Sequence, residues 1–362
     1  MSNTTDNAQP RKHFFYAIDR VMEKELPRPT EKQSSDKKYM MWGEGNTFPD
    51  YLLGLYDEVT TLRAIVDGAR DYVVGNDVTT ALLGGRMNRN GETVRDLVYK
   101  LSFDWFVFHG FALQVVRNNA GGVAEVYHMP INYLRTCKER EAFYYSEEWG
   151  KRNVKATMYP RFVQGFENYP SSVLMVTADH LHAYPQPMYL GSLDACEIER
   201  EIDKFHLNAL RNGFQASAIV HFKGVDPEDA QKVEIERDLN EKFGGSANAG
   251  SIATIFSPTY EDAVSIEKFE QTDFGERYAT LAKRAQQQIY SAFHCNPNLF
   301  GVPTESLGFN SEEYEQSFSL YNRTQIQPVQ AKIADAFDFI FGTKGSVTFE
   351  PFSINKEQKI VK

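Results

Sequence analysis

Cysteine is scarce in this 362-residue chain, and Cys137, Cys196 and Cys295 are odd in number, widely spaced and never in a Cys-x-x-Cys pair. That pattern argues against a disulfide framework or a thiolate metal site and fits a reducing, cytosolic environment. Basic charge is in deficit: 39 Lys and Arg face 49 Asp and Glu, a formal charge of −10. Such a surface on average repels phosphate and anionic lipid, which disfavours a generic nucleic-acid or membrane binder. Long apolar runs are missing too. No apolar stretch follows Met1 and no run of about 18 apolar residues occurs, so neither export nor membrane spanning is expected.

The common motifs of chemistry are also missing. There is no Gly-x-x-x-x-Gly-Lys-Ser/Thr string to cradle nucleotide phosphates, no His-Glu-x-x-His, no Asp-rich calcium loop and no Gly-x-Ser-x-Gly elbow. An ATP-driven motor is not expected, and no cofactor, metal or catalytic residue is assigned. The nearest candidates are weak. His180-x-His182 puts two histidines on one face of a strand with no third ligand nearby, which reads as solvent-facing. His294-Cys295 are adjacent on a helix, where side chains diverge instead of forming a nucleophile pair. Asp335 and Asp338 lie three apart on a predicted helix and read as a solvated pair.

What the chain does hold is aromatic surface: 26 Phe, 19 Tyr and 3 Trp in an acidic sequence. Its length allows about two domains with filled cores, at roughly 150 residues each. Residues 1–38 mix both charge signs with Pro27 and Pro29 and read as an arm, flexible or wrapped onto a neighbour. Residues 39–191 alternate helix and strand signals without a βαβ rhythm, so the fold class is α+β. Leu52, Leu55, Val59, Leu62, Ile65 and Val66 predict one helix ending before Gly75. Thr93 with Asp96 predicts a capped helix running to a stop at Gly110. Residues 111–117 and 123–128 flank Asn118-Asn119-Ala120-Gly121-Gly122 and predict a hairpin. Further strands are expected at 142–145, 155–162 and 173–176.

From Ser192 the pattern changes. Ser192 caps a predicted helix with Ile198, Ile202, Phe205 and Ala209 on one face, stopped at Asn212-Gly213. A small unit follows: strand 216–222, a helix opened by Asp226-Pro227-Glu228 and closed at Gly244-Gly245, then strand 251–256. Asp273 with Glu276 opens a second one-sided helix bearing Tyr278, Leu281, Ala285, Ile289 and Phe293. A loop at 296–310 leads to the longest predicted helix, capped by Asn310 and Glu313 and stopped at Gly342. Pro328 lies inside it and predicts a kink. A short strand at 347–349 and a Lys-rich end close the chain.

This succession resembles the phage portal protein family. The resemblance rests on Ile289-Tyr290-Ser291-Ala292-Phe293, Leu299-Phe300-Gly301-Val302-Pro303, Leu307-Gly308-Phe309-Asn310-Ser311-Glu312-Glu313, Phe318 and Ile326-Gln327-Pro328. Looser matches are Tyr189-Leu190-Gly191-Ser192, residues 214–220 and residues 104–117 with the His109-Gly110 turn. A Cys-Asn-Pro-Asn stretch before Phe300 departs from the family pattern.

The resemblance implies a portal-type fold: an α/β wing at 39–191, stem helices at 192–212 and 266–295, and an αβ clip at 213–265. It further implies a tunnel loop at 296–310, a kinked wing and crown helix at 311–342 and a final strand and tail at 343–362. It implies a ring of about twelve copies at one capsid vertex of a virion assembled in the host cytoplasm, a passive conduit for double-stranded DNA. The implied partners are the chain itself, DNA without sequence specificity, a large terminase, a head-completion or adaptor protein and the major capsid protein, with no membrane. Asn296, Asn298, Thr304, Glu305 and Ser306 would face DNA, with Glu305 the loop's only charge. Two other readings stay open on residues alone: another virion structural or interaction protein, and a small hydrolase.

Overall fold

The computed structural model describes residues 26–35, 38–151, 153–165, 169–178, 180–212, 219–223, 231, 253–257, 274–302 and 311–352. Of the expected arm at 1–38, residues 26–35 and 38 are among those described. Strand β1 (Glu31–Gln33) pairs antiparallel with β2 (Met40–Trp42), and Glu31 accepts a bond from the Tyr184 amide at 3.0 Å. Residues 26–35 thus belong to the folded body, because the polar Glu31–Gln33 segment needs only one apolar neighbour strand to complete a ladder.

The single helix expected around residues 52–66 is two, α1 (Phe48–Glu58) and α2 (Thr60–Val74). Val59 leaves helical geometry at φ −101°, ψ 109°. Hydrophobic spacing runs through the break without a phase change, so periodicity alone could not reveal it. The break turns the first amides of α2 toward Glu199, which accepts from Thr61 N at 3.1 Å and Thr61 Oγ1 at 2.9 Å. A carboxylate remote in sequence therefore caps α2, where no local side chain does.

Helix α3 (Val94–Phe108) starts as expected, with Thr93 and Asp96 forming a capping box. It stops at His109, which takes the left-handed conformation (φ 67°, ψ 34°), one residue before Gly110. Gly110 serves the sheet instead: a Cβ there would meet Val176 O at 2.9 Å. Helices α1, α2 and α3 bury Leu52, Leu55, Leu62, Ile65, Leu97 and Leu101 completely.

Against this helical layer lies an antiparallel sheet of order β5-β4-β9, with β4 (Gly110–Arg117), β5 (Val123–His128) and β9 (Ser171–Thr177). The hairpin is in register Val115↔Val126, and Asn118 Oδ1 closes its turn by accepting from Ala120 N and Gly122 N, both at 3.0 Å. A second sheet, β6-β7-β8, joins β6 (Leu134–Thr136), β7 (Ala142–Tyr145) and β8 (Thr157–Pro160). Strand β3 (Asp77–Thr79) pairs antiparallel with the last described strand, β12 (Thr348–Glu350), bringing the segment after α2 against the segment after the long helix.

Helix α4 (Leu193–Asn212) packs beside α5 (Phe274–Ala292). Ser192 does not cap α4. It sits in a 3-10 turn, Leu190–Ser192, and its hydroxyl donates to Gln288 O at 3.2 Å, joining the two helices. Of the unit between them, β10 (Ile219–Lys223) and β11 (Ala253–Ser257) pair in parallel; the expected helix over 227–243 lies outside the described residues apart from Gln231.

The long helix has three parts: α6 (Ser311–Tyr321), a π-helical turn Asn322–Ile326 and α7 (Gln327–Phe341). Pro328 falls in the first turn of α7. Proline at 328 gives the Thr324 carbonyl no amide and crowds it. Widening the turn, with Gln327 N bonding to Asn322 O, is how the backbone accommodates that loss. Gly342 ends α7 in the left-handed conformation, as expected.

Candidate nucleic-acid interface and its anchorage

Of the residues expected to face DNA, the structure describes two; Thr304, Glu305 and Ser306 lie outside the described residues. Asn296 and Asn298 are half-buried at the root of the loop. The Asn296 side chain caps a 3-10 turn, Pro297–Phe300, by accepting from Asn298 N at 3.2 Å, while its amide donates to Ser317 Oγ at 3.2 Å. Its polar atoms are thus engaged by the fold itself. Asn298 Oδ1 is buried and meets no donor among the described residues.

The turn is held by an aromatic cluster that periodicity did not single out. Phe300 lies over Gly68 of α2, where a Cβ would come within 2.7 Å of its ring. The Tyr72 hydroxyl donates to Leu299 O at 3.1 Å and lies 2.9 Å from the Tyr314 hydroxyl. Around the Tyr72 ring stand Phe318 at 5.1 Å, Phe352 at 5.4 Å and Phe300 at 6.1 Å, in tilted or edge-on contact. Burial, then the bond to Tyr314, pushes the Tyr72 hydroxyl well above the usual phenol range, so it stays a neutral donor. Beyond this anchor, Gly301 turns left-handed at φ 85° and Val302 is exposed. Glycine at 68 inside a helix was the available signal, since it permits a ring to approach the backbone.

The other candidate groups are absorbed structurally. Cys295 donates from Sγ to Tyr290 O at 3.5 Å, and burial pushes its thiol up to about 12, far from a thiolate nucleophile at neutral pH. Exposed His294 beside it caps the helix end in the left-handed region at φ 51°. Asp338 accepts from Gly345 N at 3.0 Å, Ser346 N at 2.9 Å and Ser346 Oγ at 2.6 Å, and these bonds lower its carboxyl. Asp335 is exposed, as are His180 and His182. Among the described residues, no three His, Cys, Asp or Glu side chains converge. No described helix is long and apolar enough to cross a membrane.

The α4–α5 pair is fixed at its base to α1, α2 and the segment before β1. Besides Glu199 on Thr61, Glu58 at the end of α1 pairs with Lys204 at 2.8 Å, and Arg28 reaches Asp194 at 3.2 Å. Farther along, the pair exposes apolar side chains: Phe205, Leu207 and Leu281 are 47%, 46% and 38% accessible.

A family model described as phage portal protein matches residues 63–354, most of the chain, from within α2 to beyond the last described strand. The chain belongs to the phage portal protein family. No curated protein sequence matches it. Solved structures place the fold with the same family. The chain is similar to one in the virion of a native gene transfer agent particle, at 16% identity and TM-score 0.55, over 84% of this chain and 83% of that one. It is similar to a portal protein of the HK97 family from Corynebacterium diphtheriae, at 9% identity and TM-score 0.53, over 83% of this chain and 94% of that one. A third likeness, to the neck of a native gene transfer agent particle computed with C12 symmetry, has 15% identity and TM-score 0.52, over 82% and 80% of the two chains. The mixed helix and strand architecture is therefore a portal-type fold.

Proposed function

We propose that this portal-family chain assembles into a ring of about twelve copies at one capsid vertex and serves as a passive conduit for double-stranded DNA during packaging and ejection. The observation that carries the reading is the family match over residues 63–354. The α4–α5 pair supports it, since Phe205, Leu207 and Leu281 stay uncovered in one chain and a neighbouring copy supplies the missing surface. Residues 192–212 and 266–295 are then the stem, 213–265 the clip that meets terminase and head-completion proteins, and 296–310 the tunnel loop. The wing, 39–191, and the 311–342 helix face the major capsid protein.

The chemistry suits guidance without grip. A duplex carries about one negative charge per 1.7 Å, and about twelve chains of charge −10 total roughly −120, so tight phosphate binding that would stall translocation is avoided. The chain works as a structural component, with packaging force supplied by a separate terminase ATPase. Deleting residues 303–308 tests the loop's part: rings are expected to assemble while DNA packaging or retention falls. Loss of assembly would instead make the loop architectural.

A further inference from the structure

The two helices of the α4–α5 pair differ in sign. Over residues 193–207, α4 holds five acids against Arg200 and Lys204, and both of those bases are engaged at the base of the pair, Arg200 by Glu197 and Lys204 by Glu58 at 2.8 Å. Over residues 278–292, α5 holds Lys283 and Arg284 and no acid. Two exposed charges, Asp203 on α4 and Arg284 on α5, meet no counter-ion among the described residues.

Their positions follow from the contacts inside the pair. Phe205 faces Tyr278, with ring centres 4.9 Å apart, and nearer the base the Ser192 hydroxyl reaches Gln288 O, so the helices run antiparallel. Asp203 and Leu207 lie two residues to either side of Phe205, roughly 160° round the helix from it, and share the face of α4 that points away from α5. On α5, Leu281 and Arg284 are three apart and adjoin on the surface, with Arg284 turned about 100° from the buried Ala285. Each helix thus carries one exposed leucine beside one unmatched charge, and on both the leucine lies farther from the anchored base. With Phe205 level with Tyr278 and Ser192 level with Gln288, Asp203 stands roughly 7 Å farther from the base than Arg284, and Leu207 stands a like step beyond Leu281.

We propose that Asp203 and Leu207 of one copy pack against Arg284 and Leu281 of the next, so that a charge pair backed by two leucines joins neighbouring α4–α5 pairs. The inference rests on the ring reading and names the surface through which the ring closes at this level. A closed ring is built from head-to-tail contacts, in which one surface of each copy meets a different surface of the next. Opposite charges and matched leucine spacing on the two helices answer that requirement. A two-fold contact through α4 would instead set Asp203 against its own copy, acid to acid. One axial step, supplied by a lean of each pair past its neighbour, aligns the charges and the leucines together.

The test is electron microscopy and sedimentation of the full chain at low ionic strength, for the parent, Asp203→Arg, Arg284→Asp and the variant carrying both changes. Each single reversal sets like charges opposite one another and should raise the concentration at which half the chains enter rings about tenfold or more. The double variant restores an opposite pair and should recover most of that loss. The deficit of each single variant should shrink as salt is raised. Lys155→Asp, in the exposed segment before β8, changes the net charge as Arg284→Asp does and should assemble like the parent. Rings as stable in both single variants as in the parent would overturn this proposal and leave the ring reading standing, whereas a parent without rings would overturn both. Failure of the double variant to recover, or an equal loss in Lys155→Asp, would also overturn it. So would intact rings that lose duplex retention in Arg284→Asp alone, which would assign Arg284 to DNA.

Discussion

Glu199 joins the α4–α5 pair to the start of helix α2, and replacing it tests how that joint works. Its side chain is 4% exposed; Oε1 takes both Thr61 bonds, and Oε2 is buried without a partner among the described residues. Glu199→Ala leaves one amide and one hydroxyl without an acceptor at the start of α2. An unmet buried donor costs about 1–3 kcal/mol and a lost helix cap about 1 kcal/mol, so an overall loss of about 2–4 kcal/mol is expected. For a chain of this size that is a fall in Tm of roughly 5 °C. Glu199→Gln keeps a carbonyl acceptor and should lose less.

The pH dependence separates the two variants further. Burial raises the Glu199 carboxyl above its ordinary 4.5; the Thr61 bonds oppose the rise and Asp203 adds to it. A raised carboxyl pKa means the folded state binds the proton more tightly than the unfolded chain does. The associated stability is complete below 4.5 and is lost as pH rises through the raised value. Glutamine, neutral throughout, escapes that loss, so the stability of Glu199→Gln relative to the parent should improve across that window. Thermal melts between pH 4 and pH 8 would show it. Parallel melting profiles for parent and Gln variant, or a loss below about 1 kcal/mol for Ala, would refute the trans-cap reasoning.

Other consequences follow at the loop root and the thiols. Gly68→Ala gains about 1 kcal/mol of helix propensity but forces the Phe300 ring away, costing about 1–3 kcal/mol, so net destabilisation is expected in denaturant melts. Tyr72→Phe, which removes the donor to Leu299 O, should cost about 1 kcal/mol without that propensity gain. Burial pushes the Cys196 and Cys295 thiols up to about 12, so both should alkylate at neutral pH far more slowly than a free cysteine, as peptide mass spectrometry would record.

Local signals in the sequence were readable where the fold obeys local rules. Thr93 with Asp96, the Asn118 turn and Gly342 each determine their own neighbourhood, and the elements they bound appear where expected. Signals failed where a distant group decides. The amide of Thr61 just after the break at Val59 bonds to Glu199, 138 residues away in sequence, and the close approach at Gly110 is to Val176 across the sheet. Composition reads residues 1–38 as an arm and gives no sign that Glu31–Gln33 pairs with Met40–Trp42. At the candidate interface, Asn296 and Asn298 were chosen as polar loop residues, yet the bonds of Asn296 run inward to Asn298 and Ser317. The aromatic content finds its place in part in the cluster around Tyr72, which joins elements far apart in the chain.

Direct imaging of the purified full-length chain by electron microscopy over a range of concentrations tests the central claim. A closed ring of about twelve copies around an open channel is expected. A globular monomer without a channel at every concentration would contradict it.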